Sequence, residues 1–124
     1  MILHQVAQGA EDLDRAAAFY ADLLGQEPVA RYDPPGLVFF DLAGTRLMIE
    51  VGSPGSLLYL RVDDVRARLE ELRVAGVAIE GEAHEVFGDP AGTFGPPGGS
   101  EWIAFIRDSE GNLVGLATRY PAED

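Results

Sequence analysis

The sequence carries one pattern twice, and that constrains its fold more than any other feature. A short apolar run from Leu3 to Ala7 leads to Asp12, after which Leu13, Ala17, Tyr20 and Leu24 recur at helical spacing as far as Gly25. Three strand-like stretches follow, Pro28 to Tyr32, Leu37 to Leu42 and Arg46 to Val51. Their separators, Asp33-Pro34-Pro35-Gly36 and Ala43-Gly44-Thr45, have the residue types of tight turns. After Gly52-Ser53-Pro54-Gly55 the pattern restarts with Leu57-Leu58-Tyr59-Leu60, then Asp64, then Val65, Leu69 and Leu72 up to Gly76. Further strands are expected at Val77 to Val86, Trp102 to Arg107 and Leu113 to Thr118, the last two joined by Asp108-Ser109-Glu110-Gly111-Asn112. Each half therefore reads βαβββ, the signature of a duplicated supersecondary unit.

The predicted class is α+β, one domain over residues 1–124, with module one at 1–52, a linker at 53–55 and module two at 56–120. A chain of 124 residues can bury a sizeable core, and with no cysteine it must do so by packing alone. Asp12 and Asp64 are placed to accept backbone N–H groups at the two helix starts, although Arg15 stands where a capping-box glutamate would be. Between Gly88 and Gly99 the run is too rich in Gly and Pro for a helix or strand. It reads either as a lid with Phe94 at its tip or as a plain connector.

Nine basic residues against 21 acidic ones give a net charge of −12, which disfavours a nucleic-acid partner. All nine are arginine, so Schiff-base chemistry on a lysine is excluded. The start, MILHQVAQ, lacks a basic leader and no stretch approaches the ~18 apolar residues of a membrane span, so a cytoplasmic protein without membrane contact is expected. No phosphate loop, dinucleotide fingerprint or Gly-x-Ser-x-Gly elbow occurs in a strand-to-helix context.

Two segments carry a family resemblance. The run Asp12 to Gly25, with Phe19-Tyr20 followed by Leu24-Gly25, resembles the first-helix signature of the vicinal oxygen chelate superfamily, the glyoxalase, bleomycin-resistance and dioxygenase type. Asp108-Ser109-Glu110-Gly111-Asn112 resembles its last hairpin, with Ser109 replacing the usual proline. The resemblance covers roughly residues 2 to 119 and implies two βαβββ modules forming one curved mixed-sheet cup, usually in a homodimer, whose modules pair within a chain or exchange between chains.

In metal-using members each module supplies ligands from its first and last strands, and the divalent ion acts as a Lewis acid. The resemblance carries those positions onto His4, Glu50, Leu57 and Gly115, of which the last two cannot coordinate. His4 and Glu50 alone fall short of the about three protein ligands of a catalytic site, and His84 is the remaining candidate donor. By alternation Met48 shares a face with Glu50, and the resemblance turns Glu101, Ile103 and Phe105 inward, with Leu57, Tyr59, Phe105, Leu113 and Ala117 as an apolar wall and Gly115 leaving space where a carboxylate would stand. Arg61 and Arg119 stand at its rim.

The expected ligand-binding set is thus His4, Met48, Glu50, Leu57, Tyr59, Ile103, Phe105, Leu113 and Gly115, for a small organic molecule, with no cofactor. The leading expectation is a metal-free protein that sequesters a drug-like, aromatic or cationic ligand. The alternative is a lyase, isomerase or dioxygenase, either metal-dependent through an atypical ligand set or an acid/base catalyst using Glu50 and His4.

Overall fold

A computed structural model describes residues 2–123. The described residues pack as two units, 2–56 with 108–112 and 57–107 with 113–123. Among the described residues the class is α+β, two four-stranded mixed sheets each with one helix.

In the first unit β1 (Gln5–Ala10) is followed by α1 (Leu13–Leu24), β2 (Ala30–Tyr32), β3 (Leu37–Leu42) and β4 (Thr45–Val51). The sheet order is β1-β4-β3-β2, with β1 parallel to β4 and the other pairs antiparallel. The second unit repeats this arrangement. Its β5 (Leu58–Arg61), α2 (Val65–Val74), β6 (His84–Asp89), β7 (Gly99–Arg107) and β8 (Leu113–Tyr120) form a sheet of order β5-β8-β7-β6, with β5 parallel to β8. The duplicated pattern is therefore a duplicated topology.

Each helix covers one face of its own sheet. Leu13, Ala16 and Tyr20 of α1 are buried with Val38, Phe40, Leu47 and Ile49, whose alternation along β3 and β4 places them all on the helix side. In the second unit Val65, Leu69 and Leu72 are buried with Ala104, Ile106, Val114 and Leu116. Each large apolar side chain so buried contributes ~1.5–3 kcal/mol. Asp12 and Asp64 cap their helices as expected, accepting from the N–H groups of Arg15 and Ala67. Gly25 ends α1 in the left-handed region, at φ 68°.

The main departure is the sixth strand. The sequence predicts Val77 to Val86, but regular pairing begins at His84 and runs to Asp89, while Ile79 makes only an isolated bridge to Ile106. Gly81 lies between them at φ 91°, where an extended strand cannot continue. The predicted loop accordingly loses Gly88 and Asp89 to β6. Likewise β2 shrinks to Ala30–Tyr32, since Pro28 has no N–H to give to a ladder.

Candidate functional site

The two end motifs of the sequence meet within the first unit. Tyr20, fully buried, donates its hydroxyl proton to Asp108 Oδ2 at 2.6 Å and accepts from Gln8 Nε2 at 3.3 Å. Asp108 also accepts from the N–H groups of Glu110 and Asn112 and from Asn112 Nδ2, which bonds the Gly9 carbonyl as well. Gln8 closes the ring by accepting from the Ser56 N–H at 2.7 Å. Burial first, and then the Asp108 carboxylate, push the Tyr20 hydroxyl well above its ordinary value, so it stays a donor. Glu110 is tied to the helix start. It takes hydrogen bonds from the N–H groups of Glu11 and Asp12, each at 2.8 Å, and pairs with Arg15 at 2.6 Å. The Arg15 guanidinium foremost, then those two N–H groups, hold the Glu110 carboxyl at about 2. These signature residues form a latch of paired polar groups.

The face of the first sheet away from α1 carries the polar candidates. Residues paired in a ladder point to the same side, so Gln5 lies with Arg46, Ala7 with Met48, and Gly9 with Glu50. Phe39 and Leu37 join them from β3. His4 precedes β1 and is exposed, its Nε2 2.7 Å from Arg46 Nη2. Arg46 also lies over the Phe39 ring at 5.7 Å. Glu50 takes the Ser53 hydroxyl proton at 2.6 Å. His4 and Glu50 thus have different partners, and Arg46 and Glu50 are four residues apart on one strand, about 13 Å at 3.3 Å per residue.

Gln5, rather than His4, is the repeat counterpart of Leu57. It is seven residues before its helix cap Asp12, as Leu57 is before Asp64, whereas His4 is one residue further back. The ladders agree, since Ala7 pairs with Met48 as Tyr59 pairs with Gly115. The four equivalent positions are therefore Gln5, Met48, Leu57 and Gly115. Gln5 Nε2 rests 3.6 Å from Met48 Sδ, and its Oε1 is buried without a hydrogen-bond partner. A divalent ion does not fit this set, in which Gln5 Oε1 is the one hard donor and Glu50 sits a ladder step away. Among the described residues no group of three or more His, Cys, Asp or Glu is placed to hold a metal. His84 is exposed, with Nδ1 3.2 Å from the Glu82 carbonyl oxygen.

The second sheet's face away from α2 is aromatic at one end and charged at the other. Tyr59, Gly115 and Phe105 lie in one ladder row, and the two rings meet edge to face at 5.9 Å. A Cβ on Gly115 would stand 2.6 Å from Tyr59 Cδ1 and 3.3 Å from Phe105 Cε1, so the rings occupy the space a carboxylate side chain would need. Tyr59 and Leu57 are half exposed, while Ile103 and Leu113 are partly buried on the same face. Further along, Arg61, Phe94, Glu101, Ala117 and Arg119 line a recess of about 40 Å³.

The Gly/Pro-rich loop is anchored at that charged end. Asp89 accepts from the N–H groups of Thr93 and Phe94 and pairs with Arg119 at 2.8 Å, the latter also donating to the Pro96 carbonyl. The Phe94 N–H first, with help from Thr93 and Arg119, holds the Asp89 carboxyl below its ordinary value. Gly95 and Gly99 lie flat on the Arg119 guanidinium, too close for a side chain. Phe94 remains exposed, its ring 5.6 Å from that of Phe87.

Among the described residues no helix is long and apolar enough to cross a membrane. The sequence model of the Glyoxalase/Bleomycin resistance protein/Dioxygenase superfamily matches residues 2–116. A glyoxylase-like domain-containing protein of Didymella fabae is 28% identical over 135 residues, covering 96% of this chain and 98% of that protein. The lactoylglutathione lyase structure of Agrobacterium tumefaciens superposes with a TM-score of 0.69 at 25% identity, over 94% of this chain and 92% of that one. A glyoxalase/bleomycin resistance protein of Albidiferax ferrireducens has the same fold, with a TM-score of 0.65 at 22% identity over 94% and 98% of the two chains. Duplicated topology, joined end motifs and a match over nearly the whole chain lead to one conclusion: the protein belongs to the Glyoxalase/Bleomycin resistance protein/Dioxygenase superfamily.

Proposed function

We propose that this chain is a metal-free binding protein that sequesters a small, partly apolar organic molecule, in the manner of the resistance-type members of its superfamily. The observation that carries the reading is the Tyr59–Phe105 ring pair closed over Gly115. Where a metal-using relative would place a carboxylate, this chain offers the half-exposed Tyr59 ring and the apolar Leu57. Such a surface favours flat or greasy ligands over a hydrated ion. The net charge of −12 supports a ligand with cationic character. The test is a thermal-shift screen of aromatic and cationic small molecules, confirmed by equilibrium dialysis. Hits weakened by substitution at Tyr59 are expected, and a clean failure across a broad library would overturn the reading.

A glyoxalase-type enzyme is the second reading, favoured by the 25% identity with a lactoylglutathione lyase. Elemental analysis of protein purified without chelator separates the two. A stoichiometric divalent metal lost in Gln5→Leu would replace the binding reading with the enzymatic one.

A further inference from the structure

The charged end of the second sheet's open face holds a cation and an anion that do not meet. Arg61 and Glu101 both line the small recess floored by Ala117, yet among the described residues neither has a hydrogen bond or ion pair. Arg119, opposite Glu101 in the β7–β8 ladder, gives its Nη2 to Asp89 and the Pro96 carbonyl, while its Nη1 is buried without a hydrogen-bond partner. Among the described residues Glu101 and Arg61 are therefore both without an ion pair, in a chain where six of the other eight arginines have one.

The same face supplies an apolar neighbour at a fixed spacing. Arg61 is two residues beyond Tyr59 on β5, so the two side chains point the same way about 7 Å apart. A lone anion would satisfy Arg61 but oppose Glu101, and a lone cation would do the reverse. The recess of about 40 Å³ holds a charged head group but not a ring, which is left to the half-exposed Tyr59. We infer that this face recognises a zwitterionic aromatic molecule of the α-amino-acid class, with the carboxylate on Arg61, the ammonium on Glu101 and the ring on Tyr59. The inference rests on the binding role proposed above and names its ligand class. It also reconciles an acidic, cation-favouring protein with an arginine in the site.

The experiment is isothermal titration of the full chain with L-phenylalanine and three analogues, namely 3-phenylpropanoate without the ammonium, phenethylamine without the carboxylate, and 2-phenylethanol without either. L-phenylalanine is expected to bind at least tenfold more tightly than each single-charge analogue. Arg61→Gln should erase its advantage over phenethylamine, and Glu101→Gln its advantage over 3-phenylpropanoate, each with an unchanged circular dichroism spectrum. Equal affinity for a single-charge analogue, or indifference to both substitutions, overturns the inference. Should analogues or library compounds bind while L-phenylalanine does not, the binding role stands and the head-group assignment fails. If nothing binds, both fall.

Discussion

Replacing Tyr20 by Phe removes one oxygen from the latch and tests whether the superfamily's signature residues serve structure here. The Tyr20 hydroxyl is fully buried and bonds Asp108 at 2.6 Å, a hydrogen bond to a charged acceptor worth about 1.5–3 kcal/mol. Its loss strands no partner completely. Asp108 Oδ2 keeps Asn112 Nδ2 at 2.9 Å, and Gln8 Nε2 keeps the Ser56 carbonyl at 3.2 Å. The cost should therefore fall near the low end, about 2 kcal/mol, with the ring's packing against Phe40 preserved. For a domain of this size that lowers Tm by about 8 °C. Urea unfolding followed by the fluorescence of the single tryptophan, Trp102, should show a lower midpoint with an unchanged slope. Asp108→Asn should cost more, because it also weakens the bonds from Asn112, and the double variant less than the sum, because both single changes remove the Tyr20–Asp108 bond. Ligand affinity of the folded protein should not change. A loss below about 0.5 kcal/mol, full additivity of the pair, or lost binding without lost stability would each refute the latch.

Three other outcomes are expected. Glu110 has its folded value depressed from 4.5 to about 2, so its stabilisation is complete above pH 4.5 and is lost as pH falls through 2. Glu110→Gln should cost about 1 kcal/mol at pH 7, a small figure because Arg15 is half exposed and screened, and the gap to wild type should close between those pH values in urea titrations. Arg119→Ala should release the loop, seen as faster hydrogen exchange at the Thr93 and Phe94 amides, while exchange in α1 stays slow. Gly115→Ala should push the half-exposed Tyr59 ring aside at a cost below about 1.5 kcal/mol, yet weaken any aromatic ligand at least fivefold in dialysis, while His4→Ala leaves affinity within twofold.

The fold was legible because periodicity reports burial directly. Leu47 and Ile49 alternate with Met48 and Glu50, and the structure buries the first pair beneath α1 while leaving the second on the open face. What periodicity could not report was where a strand stops being regular. Val77 to Val86 reads as one run, but the backbone freedom of Gly81 divides it, and φ is not visible in a pattern of apolar residues. The latch was legible only as two motifs at opposite ends of the chain. That Tyr20 and Asp108 touch is a matter of tertiary contact, with 88 residues between them.

The site was harder to read for a chemical reason. Histidine is the commonest metal ligand, so residue type points to His4, while the spacing to the helix cap makes Gln5 the counterpart of Leu57. Parallel pairing then settles what spacing alone left open. Because Ala7 faces Met48 as Tyr59 faces Gly115, Glu50 falls opposite Gly9 and corresponds to Ala117, one ladder step beyond the ligand-bearing row. Glu50 and the Arg61–Ala117 row are thus equivalent places in the two repeats, and both are charged. Next to the equivalent positions Gln5, Met48, Leu57 and Gly115, each unit thus carries a charged side chain in the following row. On the binding role proposed above, ligand contacts are expected in that row. Paired substitutions Glu50→Gln and Arg61→Gln that leave every ligand's affinity intact would show the argument from the repeat to be mistaken.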